Sequence, residues 1–198
     1  PRLVTVAHGT RHAEGPRVVG ALVRRVGRRL PDVEVVESYV ELTEPSFASV
    51  MATAQGPSVV VPLLLSTGYH ADHDLPESAR LSLVPVTIAR PLGPHPLLAA
   101  AAAMQLRAAG ATRGDAVVLV VAGSRNPGAS VDAMVAGRLL RRRWDGPVRA
   151  AFLSGDGPRV PEVMARLRAE GHRRVVASPY LLAPGHFASM AGSQATAH

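Results

Sequence analysis

The chain has 198 residues, no cysteine and a formal net charge of +7, and with no lysine present all of its basic charge is arginine. The missing thiols exclude disulfides, thiolate metal sites and cysteine-bound iron–sulfur clusters, so any metal would fall to His, Asp or Glu. With aromatics at only 4% and no basic stretch interleaved with them, nucleic acid is not the expected partner, and no apolar run approaches the roughly 20 residues of a membrane span.

In chain order, Leu3–Ala7 reads as a buried strand. Helical spacing of Val18, Val19, Leu22, Val23, Val26 and Leu30 predicts a helix over Arg17–Leu30 with an arginine-rich outer face. Val33–Val40 is a second strand and Pro45–Ala54 a short helix. Val59–Leu65 is a third strand, apolar throughout as in a covered parallel sheet, and Val84–Ala89 a weaker fourth. An Ala-rich helix follows over His95–Ala109, with His95 at its start. The cycle then restarts: strand Ala116–Val121, helix Ala129–Arg143, strand Val148–Leu153, helix Pro161–Glu170, strand Arg173–Leu182. Such alternation predicts α/β architecture with parallel sheets in two similar lobes. The expected domains are 1–113, carrying the active site, and 114–198, degenerate and short at its end. A cleft is expected between them, since open α/β sheets bind ligands at the carboxyl ends of their strands. The small, polar tail Ala188–His198 is read without an element, and a longer natural chain is expected.

The two halves share motifs unequally. Val-Ala-His8-Gly9-Thr10-Arg11 is answered by Val-Ala122-Gly123-Ser124-Arg125, and Gly68-Tyr69-His70 by Gly185-His186-Phe187. In this alignment His8 becomes Ala122, Glu41 becomes Ser154 and His70 becomes Phe187. The first copy thus sends two imidazoles and one carboxylate to the same edge of one sheet. That set suits a borderline divalent metal such as iron, cobalt, nickel or zinc. Each residue alone also fits a plainer reading, a hydrogen-bonded loop histidine or a solvated strand end. Asp74 either caps a helix or holds His70. His73 and Asp72 are read on the outer face of the following helix. Thr10 and Arg11, with Ser124 and Arg125, occupy turns that could bind an anion, and the two arginines are candidate clamps for ligand carboxylates.

At His8-Gly9-Thr10-Arg11, Glu41-Leu42-Thr43-Glu44-Pro45-Ser46 and Pro62 to Pro76, the chain resembles the sirohydrochlorin chelatases, class II chelatases related to ferrochelatase and to the anaerobic cobaltochelatase. The resemblance spans nearly the whole chain and includes its duplicated layout. It implies two lobes around a cleft and an ATP-independent insertion of cobalt or iron, with nickel as a further possibility, into sirohydrochlorin. The product would enter cobalamin or siroheme biosynthesis. It implies that His8 and His70 bind the metal and that the acid at Glu41 assists as ligand or proton acceptor. No organic cofactor and no ATP are expected. The expected setting is a cytoplasmic monomer or homodimer acting on a small-molecule tetrapyrrole, with no nucleic acid and no membrane. The alternative is a non-catalytic tetrapyrrole or metal carrier with the same fold. A phosphate-handling enzyme using His8-Gly9-Thr10-Arg11 would leave His70 without a role.

Overall fold

The structure, a computed structural model, describes residues 2–124 and 126–196. It contains two similar α/β units, each a parallel sheet flanked by helices. The first unit takes the chain up to Leu92 together with Leu182–His186, and the second takes Gly93–Leu181 and the chain from Phe187.

The first unit runs β1 (Arg2–Ala7), α1 (Glu14–Arg29), β2 (Glu34–Tyr39), α2 (Phe47–Ala52) and β3 (Ser58–Pro62). A π-helical turn, His70–Asp74, then leads into α3 (Leu75–Ala79) and β4 (Val86–Ile88). All strand pairs are parallel, in the order β2-β1-β3-β4. Alternation along β1 divides its side chains between two faces. Val4 and Val6 pack with Phe47, Val50 and Met51 of α2 and with Leu75 of α3. Ala7 packs with Val19 and Val23 of α1, the apolar stripe whose reverse side carries the exposed arginines.

The second unit comprises α4 (Pro96–Ala108), β5 (Ala116–Val121), α5 (Pro127–Arg141), β6 (Val148–Phe152), α6 (Val160–Ala169), β7 (Val175–Pro179) and α7 (His186–Thr196). Its strand order is β6-β5-β7, again parallel. Every residue of β5 is buried, which explains its unbroken apolar run. Ala116, Val118 and Val120 meet Val160, Val163, Met164 and Leu167 of α6. Val117 and Leu119 meet α4, α5 and the fully buried Trp144, whose indole N–H donates to Asp115 O at 2.8 Å. Each such large side chain contributes about 1.5–3 kcal/mol by leaving water.

The expected elements are present with ends shifted by a few residues. β3 stops at Pro62 rather than Leu65: Leu63 N–H still donates to Val6 O, and the chain then leaves the sheet. The larger correction is the tail, where α7 forms in a stretch read as having no element. Phe187, Met190, Ala191 and Ala195 recur at helical spacing and pack on the second core, so tertiary burial supplies what a short, weakly apolar sequence does not advertise.

Candidate metal centre

The site is built at the carboxyl ends of three neighbouring strands. His8 follows β1 directly, Glu41 lies just past β2, and His70 opens the π-helical turn after β3. Backbone bonds carry the β1–β2 pairing beyond the strands: Val40 N–H donates to Ala7 O at 2.8 Å and Glu41 N–H to His8 O at 3.0 Å. Gly9 makes this approach possible. Its φ is +96°, and a Cβ there would lie 1.7 Å from Glu41 O, a position that excludes any side chain. Thr43 then locks the two loops together: Thr10 N–H donates to Thr43 Oγ1, and that hydroxyl donates to Thr10 O, both at 3.1 Å.

The outcome is a compact trio. One ligand atom from each of His8, Glu41 and His70 lies within 4.8 Å of the others, the spacing of groups that could share one metal ion. The imidazole centroids are 4.6 Å apart, edge to face, and His8 Nδ1 is 3.6 Å from Glu41 Oε1. All three side chains keep substantial solvent access. Burial and the neighbouring His70 pull the His8 pKa below the ordinary imidazole value, against the opposing pull of Glu41. Such an imidazole favours its neutral form, the form that binds metals.

Asp74 does not cap α3; its Oδ2 stands 2.6 Å from His70 Nδ1. A carboxylate only accepts, so Nδ1–H is the donor and Nε2 is the ring atom left to face a metal. The two residues stand four apart within the π-helical turn, a spacing that puts both on one face. A cavity of about 210 Å³ lies alongside, lined by Glu41, Asp74 and Glu77 as well as Phe47 and Leu75.

Arg11 is exposed in the turn after β1. Thr10 Oγ1 accepts from His12 N–H, and Ser124 Oγ from Asn126 N–H, both at 3.1 Å. Arg125 lies outside the described residues. His95 caps α4 by accepting from Leu97 N–H, as its place at a helix start suggests. His73 and Asp72 are exposed. Thr43 went unremarked in the sequence, although it sits inside the Glu41–Ser46 motif; its hydroxyl was the available signal. The trio's counterparts in the second unit, Ala122, Ser154 and Phe187, offer no metal-ligating side chain.

Fold and site together define a two-unit parallel α/β protein with a candidate His–Glu–His metal centre on one unit. The CbiX family model matches residues 2–109 and 116–190, and the chain belongs to that family. It is similar to a sirohydrochlorin ferrochelatase of Bacillus subtilis, 29% identical over 92% of this chain and 74% of that one. It also resembles a sirohydrochlorin cobaltochelatase of Methanococcoides burtonii, 28% identical over 49% of this chain and 87% of that one. Among solved structures, SirB from Bacillus subtilis with Fe3+ superposes with a TM-score of 0.82 at 25% identity, covering 98% of this chain and 81% of that one. Among the described residues, no helix is long and apolar enough to cross a membrane.

Proposed function

We propose that the protein is a sirohydrochlorin chelatase that inserts a divalent metal, cobalt or iron, into the tetrapyrrole without ATP. The observation that carries this reading is the convergence of His8, Glu41 and His70 within 4.8 Å at one sheet edge. The family membership and the names of its relatives supply the substrate class. The metal is a substrate here, so the site must both hold and release it. Two imidazoles and one half-exposed carboxylate form a modest ligand set that exchanges readily. Insertion replaces two pyrrole N–H protons by metal–nitrogen bonds. His8 and His70 present the ion, Glu41 is third ligand or proton acceptor, and Asp74 holds His70 with Nε2 toward the metal. Arg11, with the arginines that give the chain its charge of +7, favours approach of a polycarboxylate ring. The proposed setting is the cytoplasm.

The test is an anaerobic spectrophotometric insertion assay with sirohydrochlorin and cobalt, iron or nickel, beside a protein-free control and His70→Ala. Acceleration that vanishes in the variant, by more than about 100-fold, is the expected result. Tetrapyrrole binding with no acceleration by any metal would mean a carrier instead.

A further inference from the structure

Two residues next in sequence to members of the trio carry large side chains that stand in solvent. Leu42, the residue after Glu41, is 51% exposed and holds φ at 62°. Among the described residues it is the one non-glycine with a positive φ, a conformation that a bulky residue rarely adopts and that glycine or asparagine would take with less strain. Tyr69, the residue before His70, is 62% exposed. Its ring lies 4.9 Å from that of His73, tilted by 35°, and 6.4 Å from that of His70. Neither side chain joins a core cluster of the first unit. The other large exposed residues of that unit include Leu81 and Leu83, in the loop leading into β4 at the opposite edge of the sheet. Strain that holds a leucine out of the core beside a candidate ligand points to a use for it.

We propose that Leu42 and Tyr69 are the apolar contacts for the face of the tetrapyrrole macrocycle, holding its ring plane against the His8–Glu41–His70 trio. This rests on the chelatase reading above. The chemistry divides the ligand in two. Its peripheral carboxylates suit arginine, whereas its conjugated face is apolar and pairs best with an aromatic ring and an aliphatic side chain. The placement is economical: each contact is one residue from a candidate metal ligand, so seating the ring also brings its nitrogens toward the ion. These are positioning residues; neither is required to hold the metal.

The experiment compares wild type with Leu42→Gly, Tyr69→Ala and Tyr69→Phe, and uses Leu83→Ala as the control at the far edge. Insertion kinetics are measured against sirohydrochlorin concentration, and cobalt binding is measured separately without the tetrapyrrole. Leu42→Gly and Tyr69→Ala should each raise KM about 10-fold while kcat and cobalt affinity hold. Tyr69→Phe, which keeps the ring, should bring KM back toward wild type. Leu42→Gly should melt no lower than wild type, because glycine accepts its φ. Unchanged KM in both variants overturns the proposal, and so does a parallel loss of cobalt affinity, which would mark disturbance of the trio. If wild type inserts no metal, the chelatase reading falls, and sirohydrochlorin binding followed by fluorescence quenching decides this one. Binding weakened about 10-fold in the two variants supports it, whereas equal binding, or none by wild type, overturns it.

Discussion

At the ends of their first two strands the two units are built almost atom for atom alike. In the first, Val40 N–H donates to Ala7 O and Glu41 N–H to His8 O; in the second, Leu153 N–H donates to Val121 O and Ser154 N–H to Ala122 O. Gly9 and Gly123 have φ of +96° and +90°, and a Cβ on either would strike the carbonyl oxygen of Glu41 or Ser154 at 1.7 and 1.9 Å. Leu63 N–H meets Val6 O where Tyr180 N–H meets Val120 O. Backbone and glycines match, yet only the first unit places imidazoles and a carboxylate on this frame. The difference teaches that the frame's constraints are those of folding, and that the chemistry is a layer of side chains set upon it.

That separation can be broken experimentally. Gly9→Ala and Gly123→Ala should destabilise the protein alike, each by roughly 2–3 kcal/mol from strain and collision. Gly9→Ala alone should also abolish cobalt binding, because it drives the Glu41 loop from His8. Calorimetry paired with metal titration reads both effects, and loss of cobalt binding in Gly123→Ala would show that the units do not separate in this way.

A smaller effect is expected at Asp74. Asp74→Asn keeps the size and removes the charge that holds His70 Nδ1–H, so metal affinity and insertion should fall roughly 10-fold with little change in Tm. A variant as active as wild type would remove Asp74 from the site.

The effect expected to spare the candidate site altogether belongs to the second unit. Burial opposes the charged form of Asp115, but the Thr112 N–H and hydroxyl and the Arg174 guanidinium outweigh it and hold the carboxyl below its usual range. A depressed folded pKa means that this stabilisation is complete above the unfolded value of about 3.9 and is lost as pH falls through the folded value. Asp115→Asn should therefore cost about 1–2 kcal/mol at neutral pH, with the gap to wild type closing in acid denaturation curves below about pH 4. Insertion should be untouched.

Much of this was legible in the residues. Unbroken apolar runs such as Val117–Val121 announce strands covered on both faces, and the spacing of Val19 and Val23 announces a helix lying on one. His8, Glu41 and His70 could be gathered from their shared place after successive parallel strands, without knowing any distance. What stayed hidden depended on neighbours remote in sequence. The alanines of α4 give no sign that Ala99, Ala103 and Leu106 pack around Trp144. α7 draws its stability from the core beneath it. The π-helical turn was equally invisible, because one extra residue per turn leaves no periodicity in a five-residue stretch. Asp74 lies inside that turn, where it pairs with His70 instead of capping α3.

Phe187 gives the protein a history that runs one way. Counting seven residues on from Leu63 and from Tyr180 arrives at His70 and Phe187, so Phe187 occupies the position that a second imidazole would need. It is instead packed, with Met190, on the core under α7. Supplying Ala122 with an imidazole and Ser154 with a carboxylate would alter two loop ends only. Completing the set would pull a ring out of hydrophobic packing and set a polar group in its place. A lineage carrying this chain can lose the candidate His8–Glu41–His70 centre by one substitution, but it has no comparably short path to building a counterpart in the second unit.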